Sequence, residues 1–216
     1  MSTPGWSGVG VLQIAHRLNE QCIAALAEAA ASQTAAMDSN PLAGLSSILA
    51  QLEIQARRRA ARCPVLLVDL NFGRADWWAR VAQGEPSSGT SLLPGGVLPV
   101  EVARELLRDV LIEAWSAARS LPLAVSLVFG MAPAVCARIA ALNISAIDRI
   151  VLAHASELRP RWFDNLNFWQ TLLEASIAAD EERLADLHLY SLQLLAGHLI
   201  PQRHEIFSTI HGTSLS

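Results

Sequence analysis

Four arginines, Arg138, Arg149, Arg159 and Arg161, fall between residues 130 and 162, with Asp148 and Glu157 as the acidic residues of that stretch. Guanidinium groups at this density suit phosphate, because each can donate paired hydrogen bonds to an oxyanion. A second set, Arg57, Arg58, Arg59 and Arg62, is packed into six residues. It sits where a helix should end, so it also complements the negative end of the helix dipole. All sixteen basic residues are arginine, and the net charge is −4. Such a chain has no global field to hold nucleic acid, so a DNA role needs a local patch or a more basic partner.

Other chemistries find less support. The sequence contains no nucleophile elbow, HExxH motif or phosphate loop. Cys22, Cys63 and Cys136 are odd in number, far apart and outside any CxxC pair, so they read as small buried residues in a reducing compartment. The six histidines are scattered, and His188 and His198 are too far apart on one helix to share a metal. Asp180-Glu181-Glu182 fits helix capping better than acid–base work. Asp69, inside an apolar stretch, would suit an α/β site, but no glycine-rich loop follows it. We therefore expect no enzyme, no metal and no cofactor.

The elements that must hold these groups are mostly helical. With 52% hydrophobic and 17% charged residues, rich in Ala and Leu, the chain should form a large helical core. Apolar spacing predicts helices over Val11–Met37 and Leu42–Ala61, with Asp38-Ser39-Asn40-Pro41 as a stop between them. Cys63–Phe72, short and β-branched, reads as a strand that pairs with Ser91–Leu98 or with another subunit. Asp76-Trp77-Trp78 opens a short helix. Gln83–Gly96, rich in Gly, Pro and Ser, divides the chain into 1–97 and 98–216. A long amphipathic helix starts at Pro99, and another apolar turn covers Leu123–Phe129. Leu158-Arg-Pro-Arg-Trp is an extended break, because a proline disfavours helix before it. Helices then follow over Asn165–Ala178 and from Asp180 to Pro201, the last apolar nearly all round.

Pro133 suits a first helical position, and Val135, Ile139 and Leu142 follow at helical spacing. Asn143-Ile144-Ser145 interrupts, and Ser145 is the expected cap of a second helix running to His154. Two short helices joined by three residues outline a helix-turn-helix; an ordinary αα-hairpin gives the same pattern. The fold class expected is mainly α, a multi-helix bundle with this pair and one short strand or hairpin in the N-terminal half. Ser120–Ala137 carries no charge for eighteen residues, yet Pro122, Gly130 and Pro133 break it, so it reads as buried helices and not a membrane span. No basic n-region precedes an apolar core at the N-terminus, and a cytoplasmic location is expected.

Ala117–Met131, Ala137–Ser145, Ile150–His154 and Leu158–Trp162 together resemble FlhD, the helical subunit of the FlhD–FlhC activator of flagellar systems. The likeness extends to FlhD-like activators of integrative and conjugative elements and covers about Pro99–Ala175. The resemblance implies a dimerising helical subunit that works in a hetero-oligomer with an FlhC-like, zinc-binding partner on promoter DNA. It places that family's Leu-Ala-Ala-Leu-type residues on Ile139–Leu142 and its arginine–aromatic pair on Arg161-Trp162. The residues before Pro99 have no counterpart in it. On this reading Arg138, Ser145, Ala146 and Arg149 lie at the DNA groove and Arg159 and Arg161 on phosphates. Trp77, Trp78, Trp115, Leu187 and Leu194 would form protein interfaces. The alternative is a helical adaptor of a secretion or conjugation assembly without DNA contact.

Overall fold

A computed structural model describes residues 8–32, 41–84 and 98–199. The expected stop at 38–40, most of the 83–96 loop, and the tail from Pro201 lie outside the described residues. Among those residues the protein is mainly α, with ten α-helices and one two-stranded pairing.

Helix α1 (Gly8–Ala31) buries Leu18, Cys22, Ile23 and Leu26 on one face. The single helix expected over Leu42–Ala61 is instead broken. A 3₁₀ turn (Pro41–Leu45) leads into α2 (Ser46–Ala50), and Gln51–Glu53 separates it from α3 (Ile54–Ala60). Glu53 is extended at φ −68°, ψ 158°, and the Arg57 Nε donates to the Leu52 carbonyl across the break, at 2.8 Å. Both α2 and α3 pack on α1 and on the later helix Leu166–Ala178. The Arg57–Arg62 cluster is tied to the protein itself: Arg59 Nε donates to the Ser176 carbonyl at 2.6 Å, and Arg58 pairs with Glu20 at 3.3 Å.

Helix α4 (Ala75–Ala82) carries both tryptophans inward. Helix α5 (Val100–Ala118) is the central rod; α1, α6 (Pro122–Val128), α7 (Pro133–Ala140) and α8 (Ile144–His154) all pack on it. Helices α9 (Leu166–Ala178) and α10 (Glu181–Leu199) form a hairpin, with Asp180 Oδ1 accepting from the Arg183 N–H at 3.0 Å as the cap of α10. Buried side chains from Val11 to Leu195 form one continuous cluster, so the boundary drawn at 97/98 does not separate two cores. No described helix is long and apolar enough to cross a membrane.

The expected strand over 63–72 is regular over only two residues, β1 (Val68–Asp69). Its partner is β2 (Arg159–Pro160), antiparallel, with Val68 opposite Pro160. The other expected partner, Ser91–Leu98, lies outside the described residues except for Leu98. The extended break around Pro160 supplies the pairing edge. The rest of the segment is extended and buried: Val65, Leu66, Leu67, Val68, Leu70 and Phe72 are sealed from solvent.

An irregular backbone at that depth must find partners for its N–H and C=O groups. Asn19, itself sealed on α1, provides four contacts. Its amide donates to the carbonyls of Ala61, Cys63 and Val65 at 3.3, 3.3 and 2.9 Å, and its oxygen accepts from Leu67 N–H at 2.7 Å. Leu66 N–H donates to the Val128 carbonyl, and the Trp78 indole donates to the Leu70 carbonyl. Asp69 accepts from the N–H groups of Asn71 and Phe72 at 3.2 Å, closing a turn in which Asn71 takes φ +52°.

Burial raises the thiol pKa of all three cysteines, that of Cys22 to about 12, so none is a poised nucleophile. His16 and His188 are both held below the ordinary imidazole pKa, first by burial and also by the charge of Arg62; Glu181 opposes the shift at His188. Their Nε2 atoms have no hydrogen-bond partner among the described residues.

Two measurements follow. Asn19→Leu keeps the volume but removes every one of its bonds, and should lower the unfolding free energy by about 3 kcal/mol in denaturant titration; unchanged stability would contradict the account of the segment. Because the fold prefers neutral His16 and His188, the unfolded chain takes up protons first as pH drops below about 6.5. Stability should therefore be complete above that pH and decline beneath it until the folded-state pKa values are passed. A His16→Gln, His188→Gln double variant should show a flatter decline.

Candidate nucleic-acid interface and a polar cleft

The paired helices form where the sequence places them. Pro133 opens α7, which turns Val135, Cys136 and Ile139 inward. Three residues later α8 begins. Its cap is Asn143 and not Ser145: the Asn143 Oδ1 accepts from the Ala146 N–H at 2.8 Å from an extended backbone. Asparagine in that conformation reaches the first free N–H groups of the helix, whereas Ser145 already lies inside the first turn.

The turn is braced from α5, where the Trp115 indole donates to the Leu142 carbonyl at 2.7 Å and Arg119 stacks over the Trp115 ring at 4.7 Å. Ile147, Ile150 and Val151 face the core, while Ser145, Arg149 and Leu152 share the outer face at i, i+4 and i+7. Arg138 is exposed on α7, and Arg149 is exposed on α8 with its Nη1 leaning toward Gly84. Asp148, the acidic residue between them, is paired with Arg108 at 3.3 Å. The lower end of α8 is fixed by His154, whose Nδ1 lies 2.8 Å from Glu157 Oε1 and whose ring meets Trp77 edge-on.

The other expected groove and phosphate residues lie elsewhere. Ala146 is buried against the core, because the cap turns that position inward. Arg161 is also buried and works as an internal donor. Its Nε bonds the Leu66 carbonyl at 2.9 Å, its Nη2 bonds those of Phe129 and Val68 at 2.9 and 3.3 Å, and its own N–H bonds Leu67. Burial lowers its pKa from the ordinary value and Asp69, 3.6 Å away, opposes that. Gly130, at φ +61°, is glycine of necessity, since a Cβ would lie 2.6 Å from Arg161 Nη1. Arg159 is half-buried, its Nη2 held by Asp69 at 3.2 Å and Asn71 at 3.1 Å.

Three of the expected interface residues, Trp77, Trp78 and Leu187, are corrected in the same way. Trp77 and Trp78 are core, meeting edge-on, with Trp78 stacked on Phe72, and Leu187 is buried too. Trp115 and Leu194 are half-buried. The exposed apolar side chains of α10 are Leu189, Tyr190 and Leu192.

Arg159 and Arg161 instead border a cleft of about 440 Å³, whose wall includes Asp69, Asn71, Trp162 and Phe163. Sequence reading missed this site. The signal was the Arg-Pro-Arg-Trp run itself, whose extended backbone puts Arg159 and Arg161, two residues apart, on one side of a short edge. Among the described residues no group of three or more His, Cys, Asp or Glu side chains could hold a metal. No family model matches the chain, and no curated protein or solved structure matches it.

Arg161 and Arg138 should separate cleanly in a stability assay. Arg161→Met orphans three carbonyls and weakens the hold on Asp69, and should destabilise the protein by about 3 kcal/mol or more. Arg138→Ala, on the surface, should stay within about 0.5 kcal/mol. Equal effects would refute the internal role of Arg161.

Proposed function

We propose that the protein is a non-enzymatic DNA-contacting subunit of a transcriptional activator, presenting α7 and α8 to the duplex. The observation that carries this reading is the joint exposure of Arg138 and Arg149 on two short helices separated by a three-residue turn. Arg119, held beside that turn, adds a third cation, and Asp148 is paired with Arg108. Ser145, Arg149 and Leu152 on the outer face are a donor, a cation and an apolar contact of the kinds that read base edges and phosphates. Arg159 and Arg161 take no part in DNA contact here.

An overall negative chain with a small basic patch binds DNA weakly by itself. A more basic partner subunit therefore belongs to the reading, and the resemblance to FlhD suggests one of the FlhC type, with its own zinc. A second reading, a helical adaptor without DNA contact, draws support from Leu189, Tyr190 and Leu192 on the outside of α10.

Crosslinking the tagged full-length chain to DNA in its own cells, followed by sequencing of the captured fragments, tests the proposal. Discrete sites should be enriched, and Arg138→Ala with Arg149→Ala should abolish enrichment while abundance and co-purifying proteins stay the same. Capture of proteins without any enriched DNA would favour the adaptor.

A further inference from the structure

The cleft beside β1 and β2 has features that the internal roles of its residues do not exhaust. Three residues on its wall, Asn71, Gly130 and Trp162, have left-handed backbones, at φ +52°, +61° and +53°. For a tryptophan this is a strained conformation, of the kind that persists where the surroundings hold a particular arrangement in place. What it holds here is a pair of guanidinium groups at one concave surface. Arg159 uses only Nη2 within the protein, so its Nε and Nη1 are without hydrogen-bond partners among the described residues. Arg161 likewise commits Nε and Nη2, and its Nη1 stands beside Gly130 on the cleft wall.

The charge of the wall narrows the ligand. Arg74, Arg159 and Arg161 face Asp69 and Asp164, and Arg74 is already paired with Asp76 at 2.9 Å, so the wall carries no large positive excess. A carboxylate on Arg159 adds one negative charge there, whereas a dianionic phosphate would add two beside fixed carboxylates. Trp162 and Phe163 supply apolar surface next to the arginines, and Arg159 lies 5.7 Å from the Phe163 ring centre. A concave site with an apolar wall and a few convergent polar groups is the usual form of a small-molecule site.

We propose that this cleft binds a small monoanionic organic acid, its carboxylate on the free donors of Arg159 and its apolar or planar body along Trp162 and Phe163. The proposal is independent of DNA contact.

Calorimetric titration of the full-length protein with sodium benzoate, neutral benzamide and phenyl phosphate at neutral pH tests it. Benzoate should bind, benzamide should not, and phenyl phosphate should bind more weakly than benzoate. Arg159→Gln should weaken benzoate by about tenfold or more, and Asp164→Asn, which removes a fixed negative charge from the wall, should tighten it. Both positions are partly exposed, so both variants should keep the wild-type unfolding midpoint. Absence of benzoate binding, equal binding of benzamide, tighter binding of phenyl phosphate, or an affinity unmoved by either substitution would each overturn the proposal.

Discussion

An irregular stretch of backbone, Cys63–Phe72, runs through the middle of a helical protein, and its hydrogen bonds have to be made by something. Helices satisfy their own peptide groups and sheets satisfy one another, but this segment has regular pairing at two residues only. Elsewhere its carbonyls and N–H groups are met by Asn19, Arg161, Trp78 and Asp69. An unmet buried peptide group costs roughly as much as a good contact contributes, so these polar side chains are constraints on the fold and not ornaments of it. The helices α1 and α4 and the extended stretch after Arg159 are positioned so that those side chains arrive where the segment needs them.

That constraint also explains why the arginines divide into two kinds. Arg161 is consumed by the interior, with Asp69 as counter-ion and Gly130 cut back to admit it. Arg138 and Arg149 sit on the outer faces of helices whose inner faces are apolar except for His154, itself held by Glu157. Arg159 lies between the two, half held and half available. Residue type alone did not distinguish these cases; the distance of each from the buried segment did.

Much of the helical framework was legible because helical spacing is a strong local signal. The long helix from Pro99, the α7–α8 pair, the Asp180 cap and the short tryptophan helix all follow from it. The break at Gln51–Glu53 was not legible, since the apolar stripe continues through it. The partner of β1 was equally hidden, because it lies about ninety residues downstream in a stretch whose only cue is Pro160. The two tryptophans misled for a related reason: large aromatic side chains suit an interface and a core equally well, and only the closeness of Phe72 and His154 decides between them. Asn19, by contrast, was readable in principle. A lone asparagine on an otherwise apolar helical face costs too much unless it has work to do inside.

The bonds of Arg161 to the carbonyls of Leu66 and Val68 have a bearing on how the protein is made. On a ribosome, the segment that needs this guanidinium is synthesised long before the guanidinium itself. The early helices can assemble around Leu66 and Phe72, but they cannot close over peptide groups that still require water. Sequence separation of that size slows folding, because the ends of a long loop must meet before either is rewarded. The first half of the chain therefore waits, partly hydrated, for a residue encoded in the second.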